Sequence, residues 1–261
     1  MARNIRRGIQ LSWRAAESGL IAHRRVRPEI LDELAPTDPR AIRSRRDLQR
    51  VNRVMGSCGI LARTVRRAMP SVPHAPLRIL ELGAGDGSLA LRIAARLAPS
   101  WPTAELTLLD RQGLVSQATG TAFAHLGWTL RPLTADALEW ARAPTQQQLF
   151  GRWDVILANL FLHHFERERL GELLAAVAGR CDAFVACEPR RSVSALLGSR
   201  LLFALGVSAD TRHDAIASVL AGFRGKELSG LWPASRSRWR LEERAAGAFG
   251  HLFVAARTEA A

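Results

Sequence analysis

The chain has 261 residues and a mass of 28.7 kDa, of which 48% are hydrophobic and 23% charged. This composition excludes a disordered protein, and the length allows a sizeable core without disulfide or metal staples. No apolar run approaches the roughly 18–20 residues of a membrane span, and no signal-peptide pattern is recognisable. Three cysteines without a CxxC pair predict a reducing compartment and a cytoplasmic location.

The net charge of +13 is concentrated near the N-terminus. Residues 1–67 contain 16 arginines and 6 acidic residues, whereas residues 68–261 are nearly balanced. This asymmetry is typical of proteins that contact nucleic acid, an anionic membrane surface or an acidic partner. It is equally typical of solvated arginine-rich helix faces that have no partner, and the sequence leaves both interpretations open.

Residues 1–74 are predicted to form an N-terminal helical extension or cap. Apolar residues recur at three- and four-residue steps over residues 5–20, which predicts a first helix. A further helical piece is predicted over residues 60–69. The proline-rich stretch 69–76 predicts a linker to the rest of the chain.

Another helix of this extension is predicted from Pro39 or Arg40 to about Met55. Proline is favoured in the first turn of a helix, and Gly56 follows the last apolar residue of the pattern. The residues expected to face inward are Leu48, Val51 and Val54.

From residue 75 onward, strand candidates alternate with helical stretches. The strand candidates are Leu77–Leu82, Glu105–Leu109, Thr129–Leu133, Trp153–Ala158, Ala183–Cys187, Trp239–Glu242 and His251–Ala256. The alternation predicts parallel pairing with right-handed crossovers, and therefore an α/β domain over residues 75–261. Residues 189–236 exceed the length of one crossover. They are predicted to form a lid or substrate insertion at the carboxyl edge of the sheet, where ligands bind in open α/β folds.

The strongest motif is the loop Glu81-Leu-Gly-Ala-Gly-Asp-Gly-Ser88, which lies between a predicted strand and a predicted helix. Its glycines permit positive φ and close approach of a ligand. A dinucleotide fingerprint requires Gly or Ala where this loop has Ser88, and the Asp86 carboxylate would repel a pyrophosphate. A P-loop is excluded because the Lys-Ser/Thr ending is absent. The loop therefore favours a cationic ligand without phosphate, such as S-adenosylmethionine, whose cations Glu81 and Asp86 would help to hold.

Further acidic residues follow the next two predicted strands. Asp110 lies 27 residues after Gly83 and can accept hydrogen bonds from two ribose hydroxyls. Asp136 follows the third strand and could hold an adenine amine. Because the carboxyl ends of parallel strands meet at one edge, these acids predict a single nucleoside site.

Over about residues 77–256, the order of these motifs resembles that of class I S-adenosylmethionine-dependent methyltransferases. The resemblance continues through the segment Trp-Asp-Val-Ile-Leu-Ala-Asn-Leu-Phe-Leu-His-His-Phe165. Residues 24–56 resemble the helical leader of bacterial small-molecule members that occur near polyketide or isoprenoid pathway enzymes. The resemblance implies a Rossmann-like, seven-stranded, mostly parallel sheet with helices on both faces and an antiparallel last strand. The cofactor contacts that it implies, together with those argued above, are Glu81, Gly83, Gly85, Asp86 and Gly87 at the methionine part, Asp110 and Arg111 at the ribose, Asp136 and Ala137 at the adenine, and Asn159 and Leu160 near the sulfonium.

Methyl transfer needs alignment of the acceptor with the methyl group, and a hydroxyl acceptor also needs a base, usually histidine. His163 and His164 follow the fourth strand at the active edge. We expect His164 to be the base and His163 to be turned toward the protein, with His213 as a second candidate. No metal is predicted, since no second ligand cluster accompanies this pair at a usable spacing.

These features together predict a bacterial enzyme of secondary metabolism that O-methylates a phenolic, quinone or polyketide-type small molecule. One alternative is an RNA methyltransferase, because the basic N-terminus could bind a phosphate backbone; interleaved aromatics and a recognisable RNA module are missing from the sequence. Another is a non-catalytic module that binds the cofactor or a partner. If the substrate is lipidic, the N-terminal arginines would make a peripheral membrane contact. The oligomeric state is not predicted.

Overall fold

The computed structural model describes residues 19, 21–69, 76–143, 151–233 and 238–258, and a seven-stranded sheet runs through this part of the chain. The strands are β1 (Leu77–Leu82), β2 (Ala104–Asp110), β3 (Trp128–Thr134), β4 (Trp153–Asn159), β5 (Cys181–Pro189), β6 (Trp239–Ala246) and β7 (Gly250–Arg257). Their order is β3-β2-β1-β4-β5-β7-β6, and β7 pairs antiparallel with both β5 and β6 while the other pairs are parallel. The predicted fold class and all seven predicted strands are confirmed.

The central strands are buried on both faces, which is why their sequences are nearly continuous hydrophobic runs. In β1, Leu77 and Ile79 contribute to one core, whereas Leu80 and Leu82 contribute to the core on the opposite face. The alternation follows from the two-residue period of a strand. Covering both faces requires a helical layer on each side of the sheet.

Helices supply those two layers. One face carries α3 (Ser57–Ala68), α4 (Ser88–Leu97) and α5 (Gln117–His125), and the other carries α6 (Ala137–Arg142), α7 (Arg167–Arg180) and α10 (Glu227–Leu231). The first helices of the described chain are α1 (Ile30–Glu33) and α2 (Pro39–Met55). The helix predicted over residues 5–20 lies outside the described residues, apart from Gly19.

Helix α3 is an integral part of the α/β core. Its residues Leu61 and Val65 are fully buried in the same cluster as Ile79 of β1. The boundary predicted at residue 74 therefore does not separate two cores. Most of the predicted linker, residues 70–75, lies outside the described residues.

Helix α2 has the predicted bounds but a different buried face. Its N-cap Asp38 accepts a hydrogen bond from the amide of Arg40, and the helix ends at Gly56, whose φ of 69° is left-handed. The prediction that Val54 faces inward is wrong, since this side chain is 52% exposed. The buried positions are Ala41, Ser44 and Asp47.

The buried face of α2 is polar because it meets the N-terminus of a helix in the predicted insertion. Asp47 accepts hydrogen bonds from the amide of Ser208 at 2.8 Å and from Thr211 Oγ1 at 3.2 Å. An acidic side chain at a helix N-terminus satisfies otherwise orphaned N–H groups and interacts favourably with the helix dipole.

The predicted insertion folds as α8 (Val193–Arg200), a 3-10 segment (Leu201–Leu205), α9 (Ala209–Ala221) and α10. Asp214 of α9 accepts hydrogen bonds from the amides of Ile30 and Leu31 at 2.8 and 3.1 Å. This contact fixes α1 on the insertion, so the N-terminal segment and the insertion close over the sheet together. In the described ranges, no helix is long and apolar enough to span a membrane.

We predict that Asp47→Ala lowers the free energy of unfolding by about 1–3 kcal/mol, because it leaves buried donors of α9 without their acceptor. Val54→Ala on the exposed side of the same helix should change it by less than about 0.5 kcal/mol. Urea unfolding monitored by circular dichroism measures both. Equal effects of the two substitutions would contradict the role assigned to Asp47.

Candidate active site

The glycine loop between β1 and α4 is held by the end of β2. Gly83, Gly85 and Gly87 all have positive φ, at 67°, 57° and 75°. Asp110 Oδ2 accepts a hydrogen bond from the amide of Gly85 at 2.8 Å. A Cβ at Gly83 would lie 2.2 Å from the ring of Phe161, whereas one at Gly85 would meet nothing within 4 Å. The loop is therefore closely packed at Gly83 and open to a ligand at Gly85.

A small cavity of about 130 Å³ lies under this loop, bounded by α2 and the end of β4. Two buried acceptors in its wall, Glu81 Oε2 and Asn159 Oδ1, have no hydrogen-bond partner in the described part of the chain. Asp86 also lines the cavity, and it accepts hydrogen bonds from the amide of Ser88 at 3.0 Å and from Gln49 Nε2 at 3.0 Å. Buried acceptors without partners are rare and costly, so the cavity is suited to a ligand that donates hydrogen bonds.

The Glu81 carboxyl group lies deep in the protein beside two other acids. Burial, followed by the charges of Asp110 and Asp86, raises the pKa of Glu81 to about 8. All three influences disfavour the carboxylate, because the group loses hydration and gains negative neighbours. A cation in the cavity would reverse this balance.

A larger cavity of about 490 Å³ adjoins the first and shares its walls at the glycine loop and Leu160. Asp110 and Asp136 line it from the ends of β2 and β3. Asp110 Oδ1 accepts from the amide of Gln112 at 2.9 Å, and Asp136 Oδ1 caps α6 at the amides of Leu138 and Glu139. A carboxylate has about four acceptor positions, so both residues retain capacity for a ligand.

Three other predicted cofactor contacts also line the larger cavity: Ala137, Arg111 and Leu160. Arg111 donates to the backbone carbonyl of Asp32 at 2.7 Å and thereby ties the N-terminal segment to the cavity rim. Leu160 has a φ of 51° and is the only non-glycine residue with positive φ in the described ranges. Such strain in a bulky residue is uncommon and concentrates at functional sites.

The turn after β4 is shaped by a buried carboxylate at the end of β5. Glu188 accepts hydrogen bonds from the amides of Phe161 at 3.1 Å and Leu162 at 3.0 Å, and its Oε2 lies 2.8 Å from His163 Nδ1. The turn continues as a 3-10 segment, Leu162–His164. Glu188 therefore sets the position of the histidine pair.

His163 is buried and bridges two carboxylates. Its Nδ1 faces Glu188, and its Nε2 lies 3.2 Å from Glu29 Oε1. Burial opposes protonation of the ring, but hydrogen bonds to Glu188 and Glu29 outweigh it and raise the pKa of His163 to about 9. Burial would also raise the pKa of Glu29, yet hydrogen bonds with His163 and His164 hold it well below its usual range. His163 thus joins the N-terminal segment to the sheet.

His164 lines the larger cavity and is 24% exposed. Its Nδ1 lies 2.9 Å from the carbonyl oxygen of Phe161, which can only accept, so Nδ1 carries a hydrogen. Its Nε2 lies 3.4 Å from Asp32 Oδ2 and 3.5 Å from Glu29 Oε2. Nε2 is therefore the ring nitrogen available to a ligand in the larger cavity.

His213 is placed outside both cavities, with a side chain that is 64% exposed. The neighbouring Asp214 lies on the buried face of α9, where it binds the amides that begin α1. Since adjacent helix positions point in different directions, His213 is directed outward. The structure does not bring this second predicted base candidate to the site.

Three carboxylates of the site, Glu29, Asp32 and Glu188, and the half-buried Arg24 are not indicated by the sequence. The Arg24 guanidinium donates to the carbonyl oxygens of Ala221 at 2.7 Å, Phe165 at 2.8 Å and His163 at 2.9 Å. It fastens the N-terminal segment to the turn that carries the histidines. No local pattern indicates the Arg24 contacts, because these carbonyl groups lie 139–197 residues away along the chain.

The fold is similar to that of several solved methyltransferases. The plantazolicin methyltransferase BpumL in complex with SAH aligns with a TM-score of 0.59 and 15% identity, covering 85% of this chain and 92% of that one. The CurJ carbon methyltransferase aligns at 0.51 and 17% identity over 77% and 54%. Magnesium protoporphyrin IX methyltransferase from Synechocystis PCC 6803 with bound SAM aligns at 0.50 and 11% identity over 88% of both chains.

These likenesses show that the chain has a Rossmann-like α/β fold, which these methyltransferases share. No protein-family model and no curated protein sequence matches the chain.

We predict that Glu81→Gln stabilises the ligand-free protein increasingly as the pH rises from about 4.5 to about 8. In the unfolded chain the carboxyl group ionises near 4.5, whereas in the folded chain it ionises near 8. The free energy of unfolding of the parent protein therefore falls by about 1.4 kcal/mol per pH unit across that window, and Glu81→Gln removes this contribution. Urea unfolding of both proteins at pH 5, 6 and 7 tests this. A difference that stays constant with pH would show that Glu81 ionises normally.

Proposed function

We propose that the protein is an S-adenosylmethionine-dependent methyltransferase that acts on a small-molecule hydroxyl acceptor. The observation that carries this proposal is the pair of unpartnered buried acceptors, Glu81 Oε2 and Asn159 Oδ1, in the cavity under the glycine loop. The α-amino group of S-adenosylmethionine would donate to them. Asp86 adds negative charge to the same cavity, which favours a cation and disfavours pyrophosphate.

The larger cavity supports the assignment of the nucleoside part. Asp110 would accept hydrogen bonds from the ribose hydroxyls, and Asp136, with the backbone at Ala137, would hold the adenine. Leu160 and Gly85 border both cavities. A ligand that spans the two cavities would therefore pass the strained residue and the open glycine, where the backbone permits close approach.

The acceptor would occupy the part of the larger cavity near His164, beside the apolar side chains of Phe161 and Phe165. An apolar wall next to a histidine favours a phenolic, quinone or polyketide-type acceptor. The bound cofactor supplies an electrophilic methyl group, so that a C–O bond forms as the C–S bond breaks and S-adenosylhomocysteine is left. His164 Nε2 would receive the hydroxyl proton, and His163 would hold the turn in place.

The first test is cofactor binding by isothermal titration calorimetry. We expect uptake of S-adenosylmethionine and S-adenosylhomocysteine and none of NAD. Gly83→Ala should weaken this binding at least about tenfold, because the residue has positive φ and its Cβ would collide with Phe161. Gly171→Ala in α7, where a Cβ meets nothing within 4 Å, is the matched control. Tight uptake of NAD without S-adenosylmethionine would refute the proposal.

The second test is methyl transfer from radiolabelled S-adenosylmethionine to a panel of mono- and dihydric phenols. His164→Gln should reduce the rate by about 10²–10⁴-fold while cofactor affinity is retained, which is the usual contribution of a general base. His213→Gln should leave the rate unchanged, since its side chain is outside the cavities. Transfer to RNA but not to phenols would favour a nucleic-acid substrate, and cofactor binding without any transfer would favour a non-catalytic module.

A further inference from the structure

A cluster of nitrogen and oxygen donors lies at the end of the larger cavity. Glu29, His163 and His164 each offer one ligand atom, and these atoms all lie within 4.8 Å of one another. Glu29 and the nearby Asp32 come from the N-terminal segment, whereas the histidines come from the turn after β4. The sequence shows no second set of ligands at a usable spacing from the histidine pair, whereas the fold brings Glu29 and Asp32 next to it.

Both imidazole rings are oriented as metal-binding histidines usually are. The Nδ1–H of His163 faces the Glu188 carboxylate at 2.8 Å, and that of His164 donates to the carbonyl oxygen of Phe161 at 2.9 Å. Histidine ligands almost always donate their other ring N–H to a carboxylate or a backbone carbonyl. This fixes the tautomer, and it leaves each Nε2 next to the carboxylates of the N-terminal segment.

The two histidines approach different oxygens of Glu29, and the ligand atoms lie close enough together for one ion to bind between them. His163 Nε2 lies 3.2 Å from Glu29 Oε1, and His164 Nε2 lies 3.5 Å from Glu29 Oε2 and 3.4 Å from Asp32 Oδ2. Donors bound tetrahedrally to zinc at about 2.0–2.2 Å lie about 3.3–3.5 Å apart.

The surroundings restrict the position of the Glu29 carboxylate. Glu29 and His163 are both buried, and Ser218 Oγ donates a hydrogen bond to Glu29 Oε1. Asp32 is more exposed and is held at the rim by Arg111. Imidazole and carboxylate donors without a thiolate are the set that suits zinc and other divalent transition metals better than calcium or magnesium.

We propose that Glu29, His163 and His164 bind one divalent transition-metal ion such as Zn²⁺, with Asp32 next to a coordination position that opens into the larger cavity. The ion would replace the proton that His163 and Glu29 share in its absence. A hydroxyl bound at the open position would lose its proton near neutral pH, so the ion would take over the task assigned above to His164 Nε2. The inference goes beyond the proposed methyl transfer, and the metal site does not depend on that activity.

The test is calorimetric titration of Zn²⁺ into the untagged, chelator-treated full-length chain, supported by the visible absorption of bound Co²⁺. We expect one ion per chain. His164→Gln should weaken binding by at least about 100-fold, since even outer-shell changes at metal sites cost 10–100-fold. His213→Gln is the control, because this exposed histidine also lies beside an acid, Asp214, but outside the cluster. Glu29→Gln should act like His164→Gln, and circular dichroism checks that each variant is folded.

Absence of stoichiometric Zn²⁺ binding, or equal weakening by the His164 and His213 substitutions, would overturn the metal site. Uptake of S-adenosylmethionine is measured on the same samples with and without Zn²⁺. Because none of the residues proposed to contact the cofactor is a proposed metal ligand, and Glu81 and Asn159 line the smaller cavity, loss of the metal site would leave cofactor uptake intact. A protein that binds Zn²⁺ but not S-adenosylmethionine would refute the proposed function and keep this inference.

Discussion

The arrangement of the site depends on a buried chain of charges from the sheet to the N-terminal segment. Glu188 at the end of β5 contacts His163, which follows β4, and His163 in turn contacts Glu29, which precedes α1. All three residues are buried. An isolated buried charge would cost several kcal/mol, so each member requires its neighbours. The chain therefore couples the fold of the sheet to the closure of the cavity, and the cavity is complete only when residues 21–34 are in place.

Two arginines, the half-buried Arg24 and the buried Arg191, reinforce the same closure. Arg24 spans the turn after β4 and the end of α9, while Arg191 donates to the carbonyl oxygens of Ile21 and Gly222 and pairs with Glu227. The planar guanidinium can satisfy several carbonyls at once, which suits it to fastening irregular backbone. Part of the N-terminal positive charge therefore has an internal role, although composition alone indicated only partners or solvated faces.

The features that the sequence predicts are those encoded by contiguous residues. The strands were predictable because burial on both faces favours nearly continuous apolar runs, as in β1 and β4. The acids at the strand ends were predictable because parallel strands share one carboxyl edge. The buried face of α2 was not predictable from its sequence, because the partners that bury Asp47 belong to the start of α9, about 160 residues away in the chain. Glu29 escaped notice for the same reason, since its partner His163 is 134 residues distant in the chain.

The two ends of the site place opposite electrostatic demands on a ligand. Under the glycine loop, burial together with the charges of Asp110 and Asp86 raises the pKa of Glu81, which disfavours its carboxylate in the ligand-free protein. A cationic ligand removes that conflict, whereas a pyrophosphate would intensify it, so charge compensation selects the ligand there. At the histidine end of the site, the carboxylates of Glu29 and Glu188 already have imidazole partners, so less negative charge there is left without a partner. A neutral acceptor is compatible with that end, because it can bind without adding a charge that the buried groups would have to balance.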